Sequence, residues 1–125
     1  MVSDGLPLVS AIVAAYNYAD YIGATLDSAL TQDYPTDRLE IVIVDDGSTD
    51  GTAAVIEEYV SKYPTRIRTF RQENAGYEAA TSRAFAEARG ELWALLDADD
   101  LWAPDKTMKS VQAFQRDPRV GFVYT

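Results

Sequence analysis

A chain of 125 residues has room for one hydrophobic core, so residues 1–125 are read as a single domain, and 47% hydrophobic with 25% charged residues is ordinary for a globular protein. Eleven Lys and Arg against twenty Asp and Glu leave a net charge of −9, which repels nucleic acid and anionic membrane. With neither Cys nor His, the chain has no disulfide, thiolate nucleophile, Cys or His zinc site or imidazole base, and its chemistry must run on carboxylates, hydroxyls, amides and a hard metal ion.

Leu8 to Ala15 is a nearly continuous run of small and β-branched residues and predicts a strand buried on both faces. The apolar stretch LPLVSAIVAA around it is too short to span a bilayer and is preceded by Asp4, so neither a signal peptide nor a membrane segment is expected, and the location is expected to be cytoplasmic. Ile22, Leu26, Ala29 and Leu30 recur at helical spacing before the turn DYPTD. Leu39 to Val44 predicts a second buried strand, and Val55, Ile56, Tyr59 and Val60 mark a helix from Thr52 that stops before Pro64. Arg66 to Arg71 alternates and predicts a strand near a sheet edge. Tyr77 to Arg89 predicts a helix with Gly90 as its terminating glycine, and Leu92 to Leu96 a third buried strand. Pro104 is expected to open a last helix to about Arg116, followed by a strand over Val120 to Tyr124. Strands alternating with helices predict an α/β domain with a mainly parallel sheet and right-handed crossovers.

One stretch admits two readings. From Asp46, the residues Asp46, Ser48, Asp50, Gly51 and Glu57 fall at the ligand positions of an EF-hand calcium loop. The residues that enter it, LEIVIV, favour a strand where an EF-hand needs a helix, so the spacing is read as accidental. In the plainer reading Ser48 to Thr52 cap the next helix and Gly47 makes the turn, which leaves two adjacent carboxylates at a buried strand end unexplained.

The pattern returns in LWALLDADD, an apolar strand running into Asp97, Asp99 and Asp100. Parallel strands put their carboxyl ends on one edge, so Ala15, Tyr16 and Asn17, Asp45 and Asp46, and Asp97 and Asp99 are expected to meet in one crevice. Five or more carboxylates converging there would need a cation, and Mg²⁺ or Mn²⁺ takes one or two carboxylates together with ligand phosphates. The chain has neither of the glycine-rich loops that hold phosphate by backbone amides, so a metal bridge is the expected substitute.

The stretches VSAIVAAYNYADYIGATLDSALTQDYP, EIVIVDDGSTDGT, RQENAG and GELWALLDADDLWAPDK, in this order and covering nearly the whole chain, resemble the N-terminal half of a family 2 glycosyltransferase. The resemblance implies a GT-A fold, a Rossmann-like three-layer α/β/α sandwich, here without the acceptor-binding half. It implies a nucleotide-diphospho-sugar partner, most simply a UDP-sugar, and Mg²⁺ or Mn²⁺ as cofactor. By position, Tyr16 is similar to the residue that packs on the nucleobase, flanked by Ala15 and Asn17, and Asp46 to the one that bonds the base ring. Asp45 resembles a carboxylate close to the nucleoside, and Asn74 to Gly76 a loop bordering the nucleotide. Asp97 and Asp99 match the family's Asp-x-Asp, the first near ribose or sugar, the second a metal ligand, with Asp97 also counted toward the metal. The family often has Pro where Ala14 stands, Gly at Ala75, and Arg-Asn at Thr81 and Ser82; Arg83 lies beside that pair and is read as part of a solvated helix face.

In this family the carboxylate base that deprotonates the acceptor hydroxyl lies well downstream of Asp-x-Asp, so no catalytic residue is assigned here, and the chain is expected to be a fragment that binds donor without transferring sugar. The acceptor is not identified, and surface exposed around VGFVYT could support a dimer. Two rivals remain: a phospho-receiver signalling domain, which needs its acidic pair on the first strand, and a non-catalytic nucleotide-sugar-binding module. Tyr18, Tyr21, Trp93, Trp102, Phe114 and Phe122 are read as core or interface packing, with Trp102 the first to examine as a sugar platform.

Overall fold

Two runs of small and β-branched side chains form the centre of the molecule. In a computed structural model that describes residues 5–117, β1 (Val9–Ala15) and β2 (Leu39–Asp45) pair in parallel over their full lengths, from Val9 opposite Leu39 to Ala15 opposite Asp45. β3 (Ile67–Arg71) lies outside β2 and β4 (Leu92–Leu95) alongside β1, both parallel, so the order is β3-β2-β1-β4. The links are α1 (Ile22–Leu30), α2 (Thr52–Lys62) and α3 (Tyr77–Glu87), and α4 (Lys106–Arg116) follows β4. The strand expected over Val120 to Tyr124, the surface around VGFVYT and Phe122 lie outside the described residues.

Strand periodicity divides the core in two. One set of positions, including Ala11, Val13, Ile41, Ile43 and Ile67, packs with Ile22 and Leu26 of α1, Ile56 of α2 and Val111 of α4. The alternate set, Ile12, Val42 and Val44, packs with Ala80 and Ala84, whose small side chains let α3 lie close to the sheet. Helices on both faces give the three layers expected. Each fully buried Ile, Leu or Val contributes about 1.5–3 kcal/mol of transfer free energy, opposed by the entropy of ordering the chain.

Three expectations need correction. β4 is not buried on both faces: Trp93 and Leu95 are 59% and 54% exposed, because α3 covers β1 and β2 and reaches β4 through Phe85, whose ring lies 4.9 Å from that of Trp93. Gly90 does not end α3, which closes at Glu87 with Ala88 already extended at ψ 141°. A Cβ on Gly90 would stand 2.6 Å from Ser10 Oγ, 2.7 Å from Ser10 N and 2.9 Å from Leu8 O, so glycine is required by close approach to β1. Pro104 lies in a turn with Asp105, and the last helix starts at Lys106.

Ser10 and Glu40 are polar residues on the α3 side of the sheet. The Glu40 carboxylate accepts from Ser10 Oγ, from Arg89 N at 2.7 Å and from Arg68 Nη2 at 3.1 Å, and Ser10 Oγ accepts from Gly90 N at 2.8 Å. Burial alone would raise the Glu40 pKa, but the Ser10 hydroxyl, the Arg89 N–H and the Arg68 guanidinium outweigh it and hold it below the ordinary 4.5.

Gly90→Ala is expected to lower stability by about 1–3 kcal/mol, read as a reduced urea midpoint, because the added methyl meets backbone atoms that cannot turn aside. For Glu40 the folded pKa lies below the unfolded one, so its stabilising effect is complete above pH 4.5 and is lost as pH falls through the folded value. Melting curves across that window should therefore show a smaller acid loss in Glu40→Gln than in the parent chain.

Candidate functional site

Because the strands of the described sheet are all parallel, their carboxyl ends share one edge, and the strand order reverses between β1 and β4. Leu96 N donates to Ile12 O at 2.9 Å, so the chain keeps company with β1 until it delivers Asp97. Tyr16 and Asn17 leave β1 at this edge, Asp45 and Asp46 leave β2, and Asp97 and Asp99 follow β4.

Asn17 adopts φ 58°, a left-handed conformation that Asn tolerates better than most residues. From there its Oδ1 accepts from Thr49 N at 2.8 Å and Asp50 N at 3.3 Å, while its own N–H donates to Ser48 Oγ at 3.0 Å. Asp50 Oδ1 accepts from Thr52 N at 2.9 Å and from the Thr52 hydroxyl, and its Oδ2 from Ala19 N at 3.3 Å. Hydrogen bonds from Thr52 hold the Asp50 carboxyl below its ordinary value. Asp50 thus serves the start of α2 as expected, whereas Ser48 serves the loop after β1, and Asn17 is a clasp between the two loops.

The adjacent carboxylates of β2 are buried, and each is answered by protein. Asp45 Oδ2 accepts from Arg71 Nη1 at 2.6 Å and Oδ1 from Ser48 N at 2.9 Å. Asp46 Oδ1 accepts from Gln72 Nε2 and Ala75 N, both at 2.9 Å, and Oδ2 from Gly76 N at 2.9 Å and Asn74 Nδ2 at 3.1 Å. These four donors match the lone pairs of a carboxylate. Burial pulls the Asp46 pKa upward, but Gln72, Ala75 and Gly76 outweigh it and leave it below the ordinary value. Gly47 allows this closeness: at φ 76°, a Cβ there would lie 2.8 Å from Asn74 N. Gly76, at φ 101° and ψ 163°, occupies a region open essentially to glycine alone.

Asp97, Asp99 and Asp100 are exposed beyond β4. Asp97 Oδ1 accepts from Tyr77 Oη at 3.1 Å, and burial followed by the Asp97 hydrogen bond and charge raises the Tyr77 pKa, keeping the phenol a donor at neutral pH. The expected convergence of five or more carboxylates is not found. Among the described residues no three acidic side chains gather closely enough to hold a metal ion. The physical reason is that Arg71 neutralises Asp45 and the loop 72–76 saturates Asp46, which removes both from the crowd. Asp97 and Asp99 are exposed on either side of the buried Ala98. The calcium-loop spacing is accidental: a strand enters it, and Asp46 and Asp50 serve different loops.

Tyr16 is 44% exposed and free to present its ring at the edge. Trp102 is buried in the core with Lys106 Nζ 5.1 Å above its ring, so it is packing and not a platform, whereas Trp93 and Tyr21 are exposed. Arg83 is half-buried instead of solvated: it donates to Arg71 O at 3.0 Å and lies over the Phe70 ring. Sequence reasoning assigned no role to Arg71, Gln72 or Tyr77. Arg71 stands directly opposite Asp45 in the β2–β3 register, a pairing that only the folded sheet reveals. Nothing local in the sequence points Tyr77 at Asp97.

Residues 10–125 match the model of the family described as Glycosyl transferase family 2. The putative teichuronic acid biosynthesis glycosyltransferase TuaG of Bacillus subtilis is 40% identical over 120 residues, covering 95% of this chain and 46% of that protein. Among solved structures, the mannosyltransferase PcManGT from Pyrobaculum calidifontis in complex with GDP-Man and Mn²⁺ superposes with a TM-score of 0.86 at 38% identity, over 92% of this chain and 34% of that one. S. aureus TarS in complex with UDP-GlcNAc gives 0.74 at 32% identity, over 88% of this chain and 31% of that one. The sheet and layers are those of these GT-A glycosyltransferases, and the chain spans less than half the length of the curated relatives it matches. Among the described residues no helix is long and apolar enough to cross a membrane.

Asp46→Asn would set an NH₂ group against donors that now meet a carboxylate. We expect a loss of about 2–3 kcal/mol in stability and much faster amide exchange at Ala75 and Gly76, measured by hydrogen–deuterium exchange.

Proposed function

Because this chain belongs to glycosyl transferase family 2, we propose that it forms the donor-binding part of an enzyme that transfers a sugar, a hexosyl or related group, from a nucleotide diphospho-sugar to an acceptor hydroxyl with inversion. The observation that carries the reading is the placement of exposed Tyr16 and the exposed Asp97 and Asp99 at the ends of β1 and β4, where the strand order reverses. The donor complexes of PcManGT and TarS support it, one with GDP-Man and Mn²⁺, the other with UDP-GlcNAc.

In this reading Tyr16 packs on the base, with the backbone of Ala15 and Asn17 beside it. Asp46 acts on the nucleoside side by holding Asn74 to Gly76 in place, and Asp45 does the same through Arg71. Asp97 accepts from ribose or sugar hydroxyls, and Asp99, with Asp97, holds Mg²⁺ or Mn²⁺ against the diphosphate. Bound there, the ion would offset charge on the departing nucleoside diphosphate. We assign the base to none of the described residues; beyond Asp100, Asp105 is tied to Lys109 at 2.9 Å on α4.

Calorimetric titration of UDP and GDP with and without Mn²⁺ or Mg²⁺ tests this. Binding should require the metal and weaken at least about tenfold in Asp99→Ala, the loss of one of few protein ligands, and little in Asp100→Ala. Failure of both nucleotides to bind in the presence of either metal would overturn the reading.

A further inference from the structure

We propose that Tyr77 is a positioning residue that fixes the orientation of the Asp97 carboxylate; the inference rests on the donor-binding reading above. Asp97 stands exposed on the turn after β4, and among the described residues its carboxylate has one hydrogen-bond donor, Tyr77 Oη at 3.1 Å. Without a fixed partner, an exposed carboxylate on a turn samples several rotamers and presents its oxygens in many directions. One hydrogen bond to Oδ1 holds the plane and leaves Oδ2 for a hydroxyl donor or a cation. Partners of this kind, which orient a ligand without being one, strongly affect metal affinity.

Tyr77 is itself held firmly at its base. It is the first residue of α3, and the two residues before it, Ala75 and Gly76, donate their N–H groups to Asp46, with Gly76 in a conformation that other residues rarely enter. The phenol therefore joins the end of β2 to the end of β4 across β1, through a chain that runs Asp46, Gly76, Tyr77, Asp97. The Tyr77 side chain is otherwise open to solvent at 56% exposure, so removing its hydroxyl takes nothing from the core.

The test is a double-mutant cycle of Tyr77→Phe and Asp97→Asn, read as the affinity for UDP or GDP with Mn²⁺, alongside melting temperature. Tyr77→Phe should weaken metal-dependent binding about tenfold, leave the melting temperature unchanged, and cause no further loss in the Asp97→Asn background. Equal affinity of Tyr77→Phe and the parent, or losses that simply add, would overturn the role of Tyr77 while leaving the donor-binding reading intact. If the parent chain binds neither nucleotide with Mn²⁺, the donor-binding reading fails and the role of Tyr77 fails with it.

Discussion

The site depends on the capture of the Asp46 carboxylate by four donors from Gln72 to Gly76. A carboxylate at the end of a buried strand is costly unless its lone pairs are met, and here a loop folds over to meet them. The same bonds place the start of α3, and with it the phenol that touches Asp97. One desolvated charge thus ties together the end of β2, the loop 72–76 and the start of α3 at the carboxyl edge of the sheet.

The acids at this edge are of two kinds. Those at the end of β2 are buried and internally satisfied. Those after β4 are exposed, with Asp97 meeting the Tyr77 hydroxyl and Asp100 the Leu101 N–H. In the sequence both strands run into acids, but the partners brought by folding differ between the two clusters.

Much of the fold was legible because period-2 and period-3.6 patterns are imposed by burial. The runs at Val9–Ala15 and Leu39–Asp45 announce central strands, and the charged alternation at Ile67–Arg71 announces an edge. Leu92–Leu95 misled because four apolar residues read alike whether one face or both are covered; only the position of α3 decides it. Gly90 read as a helix stop, yet its reason is a neighbour eighty positions earlier in the chain. The placement of acids at the carboxyl ends of strands was legible, but their electrostatics were not, since Arg71 and the 72–76 amides come from 26 to 30 residues away. Reasoning from like charges alone overstates repulsion when counter-groups arrive through tertiary structure.

The clasp that Asn17 forms with Thr49 and Asp50 has a kinetic consequence. With those loops already locked together, an arriving molecule has little segmental motion left to quench, and the rate of encounter falls to long-range forces. A pyrophosphate drifting toward a body of charge −9 is repelled on approach. Added salt thins that barrier, so if a polyphosphate associates with this edge its approach should quicken with ionic strength, the reverse of what a cationic phosphate cradle would show.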